Sequence, residues 1–240
     1  MNSLRLGFST GVLYTTDIPI NERIGFFKEL GCSVIELGYL KEDRMKDEPL
    51  AELDPDLLKD FSWVSLHAPG SNWKIRNDEK TLEVLKKIQD FHNRRPLNLV
   101  VFHPDSFEDF SIMRQFTFPV GIENMDARKV SFQHPEALQA IFSKNPSWRM
   151  TLDLNHVYTN DRSMKLAKDL TDAFADRIAE FHISGFAELH EPLFQTHRTE
   201  ILSAAFDRSL PMIVESQVNS LEEARTEFKY IMDFFSANNS

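Results

Sequence analysis

Short apolar runs recur along the chain about every 30 residues, and polar or amphipathic stretches separate them. Most runs are apolar at successive positions rather than at alternate ones, which is typical of strands buried on both faces of a parallel sheet. The predicted strands are Leu4–Ser9, Val34–Leu37, Trp63–His67, Asn98–His103, Pro119–Glu123, Arg149–Asp153, Ile178–Ile183 and Met212–Glu215.

The stretches between these runs carry apolar residues at helical spacing, as at Leu82, Leu85 and Ile88. Pro135 is well placed near a helix start, and Ser220 with a Glu three residues later forms a capping-box pattern. Eight strands alternating with about eight helices predict an α/β protein with a (β/α)8 TIM barrel, a parallel eight-stranded barrel with outer helices. A doubly wound open sheet is the competing architecture. It usually has a glycine-rich phosphate loop after an early strand, and this sequence has none.

The composition argues against several classes of protein, including broad nucleic-acid binders, disulfide-containing proteins and membrane proteins. The 240 residues include 27 Lys and Arg against 37 Asp and Glu, a formal net charge of −10. That balance argues against broad, non-specific binding to nucleic acid or to an anionic membrane. The single cysteine excludes an intramolecular disulfide and a cysteine-based zinc cluster. Because no apolar run approaches the length of a membrane helix and no linker interrupts the pattern, we expect one cytoplasmic domain over residues 1–240.

Histidines and carboxylates occur at the ends of most predicted strands. In a (β/α)8 barrel the carboxyl ends of the strands meet on one rim, where the chemistry takes place. Burying so many polar groups without a counter-charge is costly, and imidazole and carboxylate are natural ligands of divalent metals. The pattern therefore predicts a metal centre. Its candidate residues are His67, His103, Glu123, Asp153, His156, His182, Glu188, His190 and Glu215.

The strand motifs resemble those of the xylose-isomerase-like TIM-barrel superfamily over essentially the whole chain. The motifs that carry this resemblance are LGFST, VIELG, VSLHAPG, VVFHPD, VGIENMD, MTLDLNHVY, EFHISG and PMIVES. The superfamily includes endonuclease IV-type AP endonucleases (AP endonuclease family 2) and sugar phosphate isomerases and epimerases.

The resemblance to the endonuclease IV branch implies a hydrolase with two or three zinc ions that activate water. In that arrangement one metal is held by His67, His103 and Glu123. A second is held by Glu123, Asp153, His182 and Glu215, with Glu123 bridging, and a third by His156, Glu188 and His190. Glu188 stands where that branch normally has Asp, and Glu123, Glu215 and His156 are the expected catalytic residues. Metal clusters of this kind suit phosphoester hydrolysis, which makes this the favoured function.

The other branch implies a single Mn²⁺, Co²⁺ or Mg²⁺ on Glu123, Asp153, His182 and Glu215, with the two glutamates moving a proton during isomerisation or epimerisation of a sugar or its phosphate. The short, acidic chain favours a small phosphorylated or sugar substrate, with damaged DNA as the alternative and no membrane partner. Glu36, Lys74 and Trp73 are weaker candidates for substrate binding. A barrel without catalytic activity is a third possibility, and no feature of the sequence predicts the oligomeric state.

Overall fold

A computed structural model describes residues 4–39, 44–70 and 73–238 of the chain. Its eight strands form a closed, all-parallel barrel in the order of the sequence, so the barrel is the predicted one and the open sheet is excluded. The strands are β1 Leu6–Ser9, β2 Val34–Gly38, β3 Trp63–His67, β4 Leu99–Phe102, β5 Val120–Glu123, β6 Arg149–Asp153, β7 Ile178–Ile183 and β8 Met212–Val214.

Helices cover much of the outside of the barrel. They are α1 Ile20–Leu30, α2 Arg44–Asp47, α3 Glu79–Arg94, α4 Pro135–Lys144, α5 Leu154–Asn160, α6 Lys165–Phe174, α7 Leu193–Thr196, α8 Thr199–Ser203 and α9 Leu221–Ala237. Helix α4 begins at Pro135 as predicted, and the Ser220 side chain accepts a hydrogen bond from the Glu223 backbone N–H at the start of α9. None of the described helices has the length and apolar character needed to cross a membrane.

The helical layer is less regular than eight helices would give. Between β4 and β5 the described chain forms only two 3-10 turns, Pro104–Ser106 and Phe110–Gln115. Between β2 and β3 it forms the single turn of α2 and a 3-10 turn at Pro55–Leu58. In the described parts of these two connections, apolar side chains of irregular segments, such as Leu58 and Ile112, are buried.

A register shift between β6 and β7 affects what lies inside the barrel. Met150 pairs with Ile178, but Thr151 pairs with Glu180, so Ala179 is left over. Beyond this irregularity Asp153 pairs with His182. Because side chains alternate between the two faces of a strand, Glu180 and His182 project to the same side, toward the barrel axis.

Candidate metal centre

The carboxylate of Glu123, at the end of β5, is the centre of the ligand cluster. Its Oε2 atom lies 3.2 Å from Nε2 of His67 and 3.0 Å from Nε2 of His103. These two histidines end β3 and follow β4, so three neighbouring strands bring the groups together. The closest ligand atoms of His67, His103 and Glu123 all lie within 4.8 Å of one another, a spacing that suits one metal ion.

A second group shares the same glutamate. The ligand atoms of Glu123, Asp153, His182 and Glu215 also lie within 4.8 Å of one another. Nδ1 of His182 is 3.3 Å from Glu123 Oε1 and 3.3 Å from Glu215 Oε2. The two oxygens of Glu123 thus face different groups, Oε2 toward His67 and His103 and Oε1 toward His182.

Hydrogen bonds orient the ligands around the cluster. His67 Nδ1 lies 2.8 Å from the carbonyl oxygen of Ala68, so this nitrogen is the donor and Nε2 is directed at Glu123. Asp153 Oδ1 accepts a hydrogen bond of 2.7 Å from the backbone N–H of His156 and caps helix α5.

Several buried atoms of the cluster lack a hydrogen-bond partner among the described residues. They are Glu123 Oε1, His103 Nδ1 and both ring nitrogens of His182. Buried polar atoms in proteins almost always have a hydrogen-bond partner. Those without a partner within the protein usually contact a bound species such as an ion. Carboxylate oxygens and imidazole nitrogens are also the ligand atoms that zinc and related divalent ions prefer. The residues present therefore fit a divalent metal.

The pKa values show how strongly these groups interact. Burial alone would lower the pKa of His67, but its hydrogen bond to Glu123 and the charges of Glu123 and Glu36 outweigh burial and raise it to about 9. Burial raises the pKa of Asp153 to about 8. For Glu215, the charge of His182, whose Nδ1 lies 3.3 Å away, outweighs burial and lowers the pKa to about 2. Positively charged histidines thus offset the negative charge of the carboxylates in this cluster. A bound divalent cation would offset that charge in their place.

The third predicted ligand set does not come together in the same way. Glu188 is exposed, and the loop around it is held by the carboxylate of Glu191, which accepts hydrogen bonds from the backbone N–H groups of residues 187–189. His190 Nδ1 lies 2.9 Å from Ser184 Oγ, and the His190 ring is 5.7 Å from the ring of His156. Among the described residues, His156, Glu188 and His190 form no group of closely spaced ligand atoms.

His156 lies instead beside the second ligand group, with its Nδ1 3.6 Å from Glu123 Oε1 and 3.5 Å from Asp153 Oδ2. Its Nδ1 donates to the carbonyl oxygen of Asn124 at 2.8 Å, which leaves Nε2 without that proton and 3.9 Å from Asp126 Oδ2. Asp126 was not among the candidates from the sequence. The sequence feature that could have identified Asp126 as a site residue is its position three residues after Glu123, on the rim of the barrel.

Glu36 lies below the ligand cluster, inside the barrel. It is the third of five residues in β2 rather than the end of the strand, and it is fully buried. Glu36 Oε2 is 3.2 Å from Nε2 of His182, and Glu180 Oε1 is 3.4 Å from the same nitrogen. Glu180 was missed by the sequence reasoning, although its spacing of two residues from His182 places both side chains on one face of β7.

A cavity of about 340 Å³ opens beside the cluster at the carboxyl ends of the strands. His67 and Glu215 reach it from the ligand groups, and Arg23, Arg128 and His190 also line it. The weaker candidates Trp73 and Lys74 lie elsewhere. Trp73 is buried, and the Lys74 ammonium donates to the carbonyl oxygen of Asp105. Neither they nor Glu36 line the cavity.

The sequence matches no protein-family model and no curated protein. Solved structures, by contrast, superpose over nearly the whole chain. A D-tagatose 3-epimerase-like protein has a TM-score of 0.70 at 16% identity, covering 98% of this chain and 98% of its own. Endonuclease IV from Thermus thermophilus has a TM-score of 0.72 at 16% identity, covering 97% and 99%. The chain shares the (β/α)8 barrel fold of these proteins.

The IolI protein, whose structure holds a zinc atom, also has this fold, with a TM-score of 0.66 at 14% identity, and the match covers 98% of this chain and 99% of that one. The predicted resemblance is thus confirmed at the level of the fold. Because xylose-isomerase-like barrels include both an endonuclease and epimerases, the fold is compatible with both predicted reactions. The choice between the two reactions depends on which side chains of this protein are placed to bind a metal.

Proposed function

We propose that the chain is a divalent-metal-dependent phosphoester hydrolase with two metal sites that share Glu123. The observation that carries this proposal is the division of the Glu123 carboxylate, with Oε2 facing His67 and His103 and Oε1 facing His182. A carboxylate between two ligand groups is suited to bridge two neighbouring metal ions, an arrangement that recurs in phosphatases and nucleases. A site for one metal ion on Glu123, Asp153, His182 and Glu215 would leave His67 and His103 without a role in metal binding.

Two such metals, with zinc as the expected ion, supply Lewis acidity that lowers the pKa of water and offsets negative charge on phosphoryl oxygens. The residues of the chain hold this centre in place. Asp153 is fixed by its bond to the start of α5, and His67 is oriented by the Ala68 carbonyl. Glu215 lies at the cavity wall, so it contacts both the ligand group and the space for substrate.

A small phosphorylated substrate fits the cavity better than duplex DNA. Its volume of about 340 Å³ falls at the lower end of the range typical of small-molecule sites. The formal charge of −10 also disfavours a long polyanion, since binding DNA needs several clustered cations.

Isomerisation or epimerisation of a sugar or sugar phosphate is the second candidate. The group of Glu123, Asp153, His182 and Glu215 is complete without the two extra histidines and is able to hold one Mn²⁺, Co²⁺ or Mg²⁺. In that reaction Glu123 and Glu215 act as the acid and base pair. Both carboxylates lie 3.3 Å from the same nitrogen of His182, which keeps them on one side of the cluster.

Metal content per chain tests the proposal. We expect about two equivalents, mostly zinc, in the wild-type protein by elemental mass spectrometry, about one in His103→Ala, and about two in the control His134→Ala. His134 is exposed before α4 and belongs to neither ligand group. Hydrolysis of bis(p-nitrophenyl) phosphate should fall at least about 100-fold in His103→Ala only. One equivalent in the wild type, unchanged in His103→Ala, would overturn the hydrolase and favour the epimerase.

A further inference from the structure

Two arginines line the cavity, and their hydrogen bonds differ. Arg23 is buried and uses its guanidinium within the protein: Nε donates to Ile18 O at 2.8 Å and Nη1 to Thr10 O at 2.7 Å, while Nη2 pairs with Glu48. Its donors are therefore committed to the fold. Arg23 shapes the wall of the cavity and has little capacity to bind a further anion.

Arg128 has donors to spare. Its Nη2 donates to Asp126 Oδ2 at 2.6 Å, and its backbone N–H donates to Asp126 Oδ1 at 2.7 Å. Within residues 4–39, 44–70 and 73–238, the described hydrogen bonds of its guanidinium all go to Asp126. The side chain remains 58% exposed, so Nε and Nη1 are free to meet a ligand in the cavity.

The loop that carries Arg128 is held in one shape. The Met125 N–H donates to Phe132 O at 3.0 Å and closes the loop, and the Ala127 N–H donates to Thr159 Oγ1 at 3.0 Å on α5. A binding group fixed in this way loses little conformational freedom when its ligand arrives, which favours affinity.

Arg128 also lies on the side of the rim where the third metal was expected. Its partner Asp126 is 3.9 Å from His156 Nε2, whereas the expected carboxylate, Glu188, is exposed. His190 lines the cavity together with Arg128, and its Nδ1 lies 2.9 Å from Ser184 Oγ. The Arg128 guanidinium therefore reaches the cavity on the side where the sequence predicted a third metal.

We propose that Arg128 binds phosphoryl oxygens of the substrate in the cavity that His67 and Glu215 also line, and so selects for an anionic phosphate group. This inference rests on the proposed hydrolase function and names the residue that recognises its substrate class. A guanidinium suits the role because its planar fork matches two phosphate oxygens. Asp126 fixes the guanidinium through its bond with Nη2, which leaves Nε and Nη1 to donate to the ligand.

Calorimetric titration with inorganic phosphate tests this role, on the protein as purified and after chelator treatment. We expect Arg128→Gln to weaken phosphate binding about tenfold or more in both forms, and Arg128→Lys, which keeps the charge but loses the fork, to fall between it and the wild type. The control is Arg225→Gln on α9. Arg225 is 56% exposed and is also paired with a carboxylate, but it lies outside the cavity, so phosphate affinity should not change.

Unchanged phosphate affinity in Arg128→Gln, or no measurable phosphate binding by the wild type, would overturn the inference. Metal content separates this failure from that of the proposed function. Two metals in a wild-type protein whose phosphate affinity does not depend on Arg128 would retain the hydrolase and remove Arg128 from its site. Loss of affinity in Arg128→Gln, in a protein that binds no metal, would retain the anion site and remove the hydrolase.

Discussion

Glu36 Oε2 lies 3.2 Å from Nε2 of His182, while Nδ1 of the same ring lies 3.3 Å from Glu215 Oε2. The imidazole thus connects a carboxylate deep in the barrel with the ligand cluster at the rim. Carboxylates in this position fix the ring orientation and the tautomer of metal-binding histidines and increase their basicity. We therefore propose that Glu36 supports the metal centre from below through its contact with His182.

Replacing Glu36 with Gln should weaken metal binding about 10- to 100-fold, because His182 loses the nearer of the two carboxylates, Glu36 and Glu180, that face its Nε2. Competition with a chromophoric chelator measures this affinity. The amide preserves the shape of the side chain, so the barrel should fold normally. Wild-type affinity in Glu36→Gln would mean that Glu36 has only a packing role.

Glu227 on α9 offers a matched buried carboxylate outside the cluster. It accepts hydrogen bonds from the backbone N–H groups of Leu193 and Phe194 at 2.8 and 2.9 Å, and from Ser216 Oγ at 2.5 Å. Glu227→Gln turns an amide NH₂ group toward these donors and should lower the free energy of unfolding by about 2–3 kcal/mol, measured by urea denaturation. Metal affinity of the folded variant should match the wild type, which makes it the control for Glu36→Gln.

Gly70 packs directly against a ligand. A Cβ atom at this position would lie 2.6 Å from His103 Nδ1, closer than real Cβ contacts allow. We expect Gly70→Ala to push the His103 ring away from Glu123 and to reduce metal content by about one equivalent, as in His103→Ala. Gly25→Ala in α1 is the control, because a Cβ there meets no atom within 4 Å. A full complement of metal in Gly70→Ala would show that the ring and the loop adjust.

Metal binding should release protons at neutral pH. In the metal-free protein His67 has a pKa raised to about 9, and the pKa of His182 is also raised because the charges of Glu215 and Glu36 outweigh burial. The His67 ring is therefore protonated at pH 7, the raised pKa of His182 favours its protonated form as well, and a ring nitrogen must lose its proton to bind a metal. Metal affinity should rise with pH up to about 9.

Calorimetry at pH 7 in buffers of different ionisation enthalpy should show release of about one proton or more per chain. Binding heats that do not depend on the buffer would contradict this prediction.

Glu188 should be dispensable for metal binding. Its side chain is exposed, and the carboxylate of Glu191 organises its loop. Glu188→Ala should therefore keep the wild-type metal content, whereas Glu215→Ala, which removes a member of a ligand group, should reduce it. Elemental analysis of both variants measures the difference. A lower metal content in Glu188→Ala would mean that the loop rearranges to complete a third site.

The sequence pattern predicted the strands closely. The bounds of β3, β6 and β7 are those predicted from the apolar runs. Strands β1, β2, β5 and β8 differ by one or two residues at one end, and β4 differs by one residue at each end. This success has a physical cause, since strands buried on both faces must be continuously apolar. The irregular segments after β2 and β4 were harder to predict, because they carry neither a helical nor a strand period.

What the sequence by itself determined is the barrel and the ligands at the strand ends, such as Glu123 and His182, because the carboxyl ends of parallel strands must meet on one rim. Only the tertiary structure decided which oxygen of Glu123 faces which histidine, that Glu36 lies beneath His182, and that Glu188 is exposed while Arg128 lines the cavity. Those relationships depend on the stagger of neighbouring strands and on loop conformations. Both are set by contacts between residues far apart in the chain, which no local pattern records.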